Sequence, residues 1–199
     1  MSVVDAPTPE LVASIRTRAR LTQEELAQRL GVSFSTVNAW ETGRSSPQPR
    51  HRRRLEDLAA ELDGAPSALR ALVVDDDETE LAVLSELIRD AGEVLEVPLT
   101  VTTESDGMRA LIVLGRLQPD VAFVDVIMPG LDGLALADRV DELDGFSRSQ
   151  LVLVTAGRDQ AIAAGAEQRG LTLIDKPLTI RTVGRVLREA AARRADRHG

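Results

Sequence analysis

The chain has 199 residues, of which 43% are hydrophobic and 28% charged, and its formal net charge is −8. It can therefore bury a core, and no apolar run approaches the roughly 18 residues that a membrane helix needs. The absence of cysteine excludes disulfides and thiol chemistry.

The opening residues, Met1 to Asp5, lack the basic-then-apolar pattern of a signal peptide, so the cytoplasm is the expected compartment, with no membrane partner. Charge is unevenly spread. Residues 1–64 hold nine arginines against nine acids, so the whole excess of acid lies beyond them. Arg50 to Arg54 form a dense basic run, which suits either a solvated face or nucleic acid contact. Of the 24 basic residues only Lys176 is a lysine. A lysine ammonium is a compact point charge on a flexible stem, suited to a small anion.

Residues 1–7 contain proline and no periodic pattern, which predicts a frayed tail. A first helix is expected from Pro9 to near Arg20. Thr22-Gln23-Glu24-Glu25 is a capping box. It opens a helix with Leu26 and Leu30 on one face, closed by Gly31. Ser33 caps a further helix, Phe34 to about Thr42, with Val37 and Trp40 facing inward. After Pro49 a last helix places Leu55, Leu58, Ala59 and Leu62 together. Two short helices joined by a tight glycine turn and held between flanking helices form a helix-turn-helix.

The stretch from Leu21 to Pro47, with cap, turn glycine and Trp40-Glu41-Thr42-Gly43-Arg44 in register, resembles the lambda-repressor/Cro-like (XRE) DNA-binding domain over residues 9–62. The resemblance implies that Ser33 to Glu41 enter the major groove of double-stranded DNA, with Ser33, Phe34, Ser35 and Asn38 toward base edges. Asn can bond an adenine edge bidentately and an exposed Phe can lie against a thymine methyl. Gln23 and Thr36 match the family's phosphate-contacting positions, and Arg44 is within reach of the backbone. A homodimer on a palindromic site is the expected arrangement.

Asp63 to Ala68 carries Gly, Pro and Ser and breaks the helical period, so domains are expected at 1–63 and 69–199 with a linker at 64–68. Beyond it strands and helices alternate. Ala71 to Val74 is an apolar strand ending in Asp75-Asp76-Asp77. The next helix faces inward with Leu81, Leu84, Ile88 and Ala91. A weaker strand lies around Leu99–Thr103, and the helix after it should bury Met108, Leu111, Ile112 and Gly115. Val121 to Asp125 is an apolar run entering a carboxylate and then the turn Pro129-Gly130, which reads as a strand buried on both faces. A helix is expected over Leu134–Leu143, a strand over Leu151–Thr155 and a helix over Asp159–Arg169. A strand over Leu171–Ile174 follows, and the last helix should bury Ile180, Val183, Val186, Leu187 and Ala190. Five such units imply a parallel sheet with helices on both faces.

Polar residues fall at the strand ends: Asp75 and Asp76, Asp125, Thr155, then Asp175 and Lys176. In a parallel sheet these ends share the edge where ligands bind. Three converging carboxylates repel unless a cation sits among them, and Mg²⁺ suits such oxygen donors. A carboxylate beside a metal, a hydroxyl and an ammonium is arranged to attack phosphorus.

Leu72 to Asp77, Asp125 to Gly130 with Asp132-Gly133, Val154 to Ala156, and Lys176-Pro177 resemble the receiver domain of two-component response regulators over about residues 69–194. The resemblance implies an all-α helix-turn-helix domain followed by an α/β flavodoxin-like receiver with sheet order 2-1-3-4-5. It makes Asp125 the phosphoacceptor, and Asp75, Asp76, Asp125 and the backbone carbonyl of Ile127 the Mg²⁺ ligands. Thr155 and Lys176 then contact the phosphoryl group, and a sensor histidine kinase is the partner.

Two departures stand out. The family's aromatic switch position, three residues before the lysine, is Leu173, and the receiver follows the DNA-binding domain instead of preceding it. The chain thus reads as a DNA-binding response regulator and not an enzyme. The alternative is a phosphorylation-independent repressor whose receiver-like domain serves dimerisation or docking. A haloacid-dehalogenase-type phosphohydrolase is disfavoured, because Ile127 stands where those enzymes carry a second Asp.

Overall fold

The computed structural model describes residues 8–64, 68–143, 146–157 and 159–198. The tail expected at 1–7 and linker residues 65–67 lie outside them. The chain divides into two compact units, residues 1–67 and 68–199.

The first unit holds four helices: α1 (Thr8–Arg18), α2 (Gln23–Leu30), α3 (Phe34–Glu41) and α4 (Pro49–Leu62). The capping box forms as expected, with the Glu25 amide donating to Thr22 Oγ1 at 3.2 Å and the Thr22 amide donating to Glu25 at 2.6 Å. Gly31 closes α2 with φ of 69°, the left-handed region that glycine adopts without a Cβ clash. Ser33 caps α3 through its bond from the Thr36 amide. Leu11, Ile15, Leu26, Leu30, Val37, Trp40, Leu55 and Leu58 make the core.

The basic run is partly structural. His51 is buried, with its ring 5.5 Å from that of Trp40. Arg52 pairs with Glu56 and Arg53 with Asp57, and Arg54 donates to the Leu30 carbonyl at the end of α2.

The second unit is β1 (Leu69–Val74), α5 (Glu78–Val94), β2 (Leu99–Glu104), α6 (Gly107–Leu117), β3 (Val121–Asp125), α7 (Gly133–Val140), β4 (Leu151–Thr155), α8 (Gln160–Gln168), β5 (Thr172–Asp175) and α9 (Ile180–His198). All strand pairs are parallel, in the order β2-β1-β3-β4-β5. This is the expected flavodoxin-like order, and it follows the helical region.

Alternate residues of each strand feed two cores. Leu72, Val74, Ala122, Val124, Leu151 and Leu153 meet α6, α7 and α8. Ala71, Val73, Phe123, Val152 and Val154 meet α5 and α9. Burial on both faces explains why β3 and β4 read as continuous apolar runs. At the base of the sheet Arg194 of α9 bonds the Ala68 carbonyl at 2.6 Å and buried Asp120 at 3.2 Å. Among the described residues no helix is long and apolar enough to cross a membrane.

Two expected core assignments are corrected. Met108 and Ile112 are 55% and 61% exposed, and α6 instead buries Gly107, Ala110 and Leu114. Its rotation is set by Gly107, where a Cβ would stand 2.2 Å from the Leu131 carbonyl oxygen. That approach turns Ala110 and Leu114 inward and the longer side chains out. Ile180 is 42% exposed, because it opens α9 while burial begins at Val183.

The Gly107 contact predicts that Gly107→Ala destabilises the receiver by about 1–3 kcal/mol, the usual cost of overpacking. Chemical denaturation should show this, with no loss from Gly157→Ala, whose added Cβ meets nothing within 4 Å.

Candidate functional site

Four adjacent strands, β1, β3, β4 and β5, end on one edge of the sheet and place Asp75, Asp125, Thr155 and Lys176 there. The apolar runs 71–74, 121–124 and 151–154 each give way directly to a polar residue at this edge. The Lys176 amide donates to the Thr155 carbonyl at 2.7 Å, tying the last two strand ends together.

Asp125 is buried. One oxygen accepts the Ile127 amide at 2.7 Å and the other lies 2.9 Å from Lys176 Nζ. Asp75 is buried as well, accepting the Asp77 amide at 3.0 Å and Lys176 Nζ at 2.7 Å. Lys176 thus stands between two carboxylates. Glu80, at 3.6 Å from Nζ, is a third acid near it. Asp76 and Ile127 are exposed beside them, and the buried Thr155 hydroxyl donates to the Gly157 carbonyl at 3.2 Å. Leu173 is partly buried and packs against the core beneath α6 to α8.

Burial raises the Asp125 pKa above 3.8 even though Lys176 pulls it down, because desolvation of the carboxylate outweighs the attraction. Lys176 is held well above its ordinary value: desolvation opposes its charge, but the bonds to Asp75 and Asp125 prevail. A carboxylate whose folded pKa is raised contributes stability below its unfolded pKa and loses it as pH rises through the folded one. Ionised Asp125 therefore opposes folding at neutral pH, and Lys176 limits that cost.

The donor set here is all oxygen, which suits a hard divalent ion. Among the described residues no group of three or more acids or histidines is placed to hold a metal ion. Asp75 and Asp125 converge on the ammonium of Lys176, which stands between them.

On the first unit, Ser33, Phe34 and Ser35 lie exposed at the start of α3, with Thr36 and Asn38 half-buried and Arg44 exposed beyond. Phe34 is 49% exposed, so Val37 and Trp40 do fill the inward positions. The Ser33 hydroxyl bonds those of Ser35 at 2.9 Å and Thr36 at 2.8 Å. Gln23 donates its amide to Glu41 at 2.6 Å, and Glu41 also accepts from Arg16 at 2.6 Å. Glu41 thereby joins α1, α2 and α3.

Sequence reading missed Glu80 and Glu41. Glu80 lies in the first turn of α5, just after its cap Asp77, and that position was the available signal. Glu41 stands in the stretch Trp40 to Arg44, but its bond to Arg16, 25 residues away, had no local signal.

Comparison with known proteins agrees with both units. The family model for the response regulator receiver domain matches residues 71–188, and a helix-turn-helix model matches residues 12–58. The protein-glutamate methylesterase/protein-glutamine glutaminase 5 of Myxococcus xanthus (strain DK1622) is 37% identical over 117 residues, 58% of this chain and 32% of that protein. The DNA-binding transcriptional regulator NtrC of Salmonella typhimurium is 35% identical over 109 residues, 54% of this chain and 22% of that protein. The chain thus spans less than a third of either relative. A response regulator receiver domain protein from Clostridium thermocellum shares the fold, with a TM-score of 0.55, 22% identity, and coverage of 64% of this chain and 97% of that one.

The shared ammonium makes a prediction. Lys176→Met leaves two buried carboxylates without it and should destabilise the receiver by about 1–3 kcal/mol near pH 7, less than a fully buried pair because the site opens to solvent. The deficit should shrink as pH falls and Asp125, whose pKa burial raises, takes up a proton, which thermal melts across pH will show.

Proposed function

We infer that this chain, which belongs to the response regulator receiver family and carries a helix-turn-helix domain ahead of its receiver, is a DNA-binding transcriptional regulator controlled by phosphorylation of Asp125. The observation that carries this reading is the buried Asp125 carboxylate at the end of β3, 2.9 Å from the ammonium of Lys176.

The donor is a sensor histidine kinase or a small phosphodonor. An Asp125 oxygen forms the new bond to phosphorus while the donor's bond to phosphorus breaks, and the electron pair leaves with the donor. Lys176 then shifts from the carboxylates to the phosphoryl oxygens as a point charge. Thr155 turns its hydroxyl from the Gly157 carbonyl to bond the group. Asp75, Asp76, Asp125 and the Ile127 carbonyl would hold Mg²⁺, which supplies further charge neutralisation on those oxygens. The raised Asp125 pKa means that the nucleophilic carboxylate is lost on acidification sooner than an ordinary aspartate.

In this reading the regulator acts in the cytoplasm on double-stranded DNA. Ser33, Phe34, Ser35 and Asn38 face base edges in the major groove, while Gln23, Thr36 and Arg44 set the register on the phosphates. Glu41 would orient Gln23 for that task. Pairing of two copies matches a palindromic site. The two relatives named above differ, one being an enzyme by name and the other a DNA-binding regulator; the helix-turn-helix supports the regulator. The intact set of residues at four strand ends favours this over a receiver-like fold retained only for docking.

Incubation with acetyl phosphate and Mg²⁺ should add one phosphoryl mass to the wild type and none to Asp125→Asn. No gain where a control receiver is modified would sink the proposal. On a DNA site obtained by selection, Phe34→Ala and Asn38→Ala should each weaken binding by about 1–3 kcal/mol with helix content unchanged. Gel-shift titration is the measurement, and unchanged affinity in both variants would remove α3 from the groove.

A further inference from the structure

Helices α5 and α9 pack side by side on one face of the receiver sheet, and their outward surfaces carry opposite charge. On α5, Glu86, Asp90 and Glu93 are exposed, with Val83 and Val94 on either side of them along the helix at 61% and 69% exposure. On α9, Arg181, Arg185 and Arg188 are exposed. The buried faces fix both rotations, since Leu84, Ile88 and Ala91 on α5 and Val183, Leu187 and Ala190 on α9 are held in the core. Neither charged stripe can turn inward. Within each helix one exposed pair forms, Glu86 with Arg89 at 3.1 Å and Arg185 with Glu189 at 3.3 Å. Asp90, Glu93, Arg181 and Arg188 make no ion pair among the described residues.

An acidic helix beside a basic one is complementary to its own copy. A half-turn about an axis running along the seam between them lays α5 of one copy on α9 of the other, and the reverse at the same time. Without that half-turn like charges face each other, so the charges also specify the register. We propose that the α5–α9 face is a homodimer surface on which the acidic helix of each copy lies against the basic helix of its partner. This deepens the pairing in the functional reading above by naming the surface. Exposed ion pairs are individually weak and screened. The association is therefore weak and sensitive to salt, with Val83 and Val94 adding apolar contact.

Sedimentation velocity on the full chain tests it. The wild type should self-associate at low ionic strength and dissociate near 1 M salt, where the Debye length falls to about 3 Å. The double variants Asp90→Arg with Glu93→Arg, and Arg181→Glu with Arg188→Glu, should each lose at least about tenfold in self-association. An equimolar mixture of the two should recover it, because both helix contacts are then attractive. Should a reversed variant lose helix in circular dichroism, Asp90→Asn with Glu93→Gln takes its place and should flatten the salt dependence. A wild type monomeric at low salt would overturn the proposal together with the dimer, leaving the charged helices to a foreign partner. A dimer untouched by either variant would overturn this surface alone. Two monomeric variants that fail to pair on mixing would overturn the contact of α5 with α9.

Discussion

One ammonium organises the polar edge of the receiver sheet. Lys176 Nζ lies 2.7 Å from Asp75 and 2.9 Å from Asp125, residues brought together from β1 and β3. Two carboxylates buried this closely repel and are poorly solvated, so the ends of these strands can approach only if a cation is supplied. The chain supplies it from just past β5, three strands from β1 in the sheet. The cation is thus a structural requirement.

The DNA-binding unit solves a related problem differently. Glu41 is held by Arg16 and Gln23, so its charge is compensated by bonds from two other helices. Arg54 satisfies the Leu30 carbonyl, which the end of α2 would otherwise leave open. Much of the arginine of this unit therefore fixes helix geometry, and the start of α3 is left short and hydroxyl-rich. Charge in a sequence does not by itself distinguish these uses.

The strand ends were legible because a sheet buried on both faces forces uninterrupted apolar runs, and their interruption by Asp75, Asp125 or Thr155 is conspicuous. Caps were legible for a similar reason: Thr22 and Glu25 interact across three residues. The rotation of α6 was not legible. Met108 and Ile112 have the spacing of a buried face, but a contact between Gly107 and the distant Leu131 decides which face turns inward. Glu80 escaped notice because its relation to Lys176 depends on how far α5 leans over the strand ends. Local pattern carried the elements and the position of the site; side-chain contacts between elements distant in sequence set the remainder.

The Arg194 contact at the base of the sheet has a consequence for how this domain comes into being. Asp120 is fully buried and also accepts the Arg70 amide, while Arg194 reaches both it and the Ala68 carbonyl. The first and last parts of the receiver are therefore clasped at one point. During synthesis Asp120 is made 74 residues before its arginine. Until that last stretch of helix leaves the ribosome, Asp120 lacks the arginine that bonds it in the folded sheet. The C-terminal helix thus supplies, last in synthesis, a contact at the entrance to the first strand.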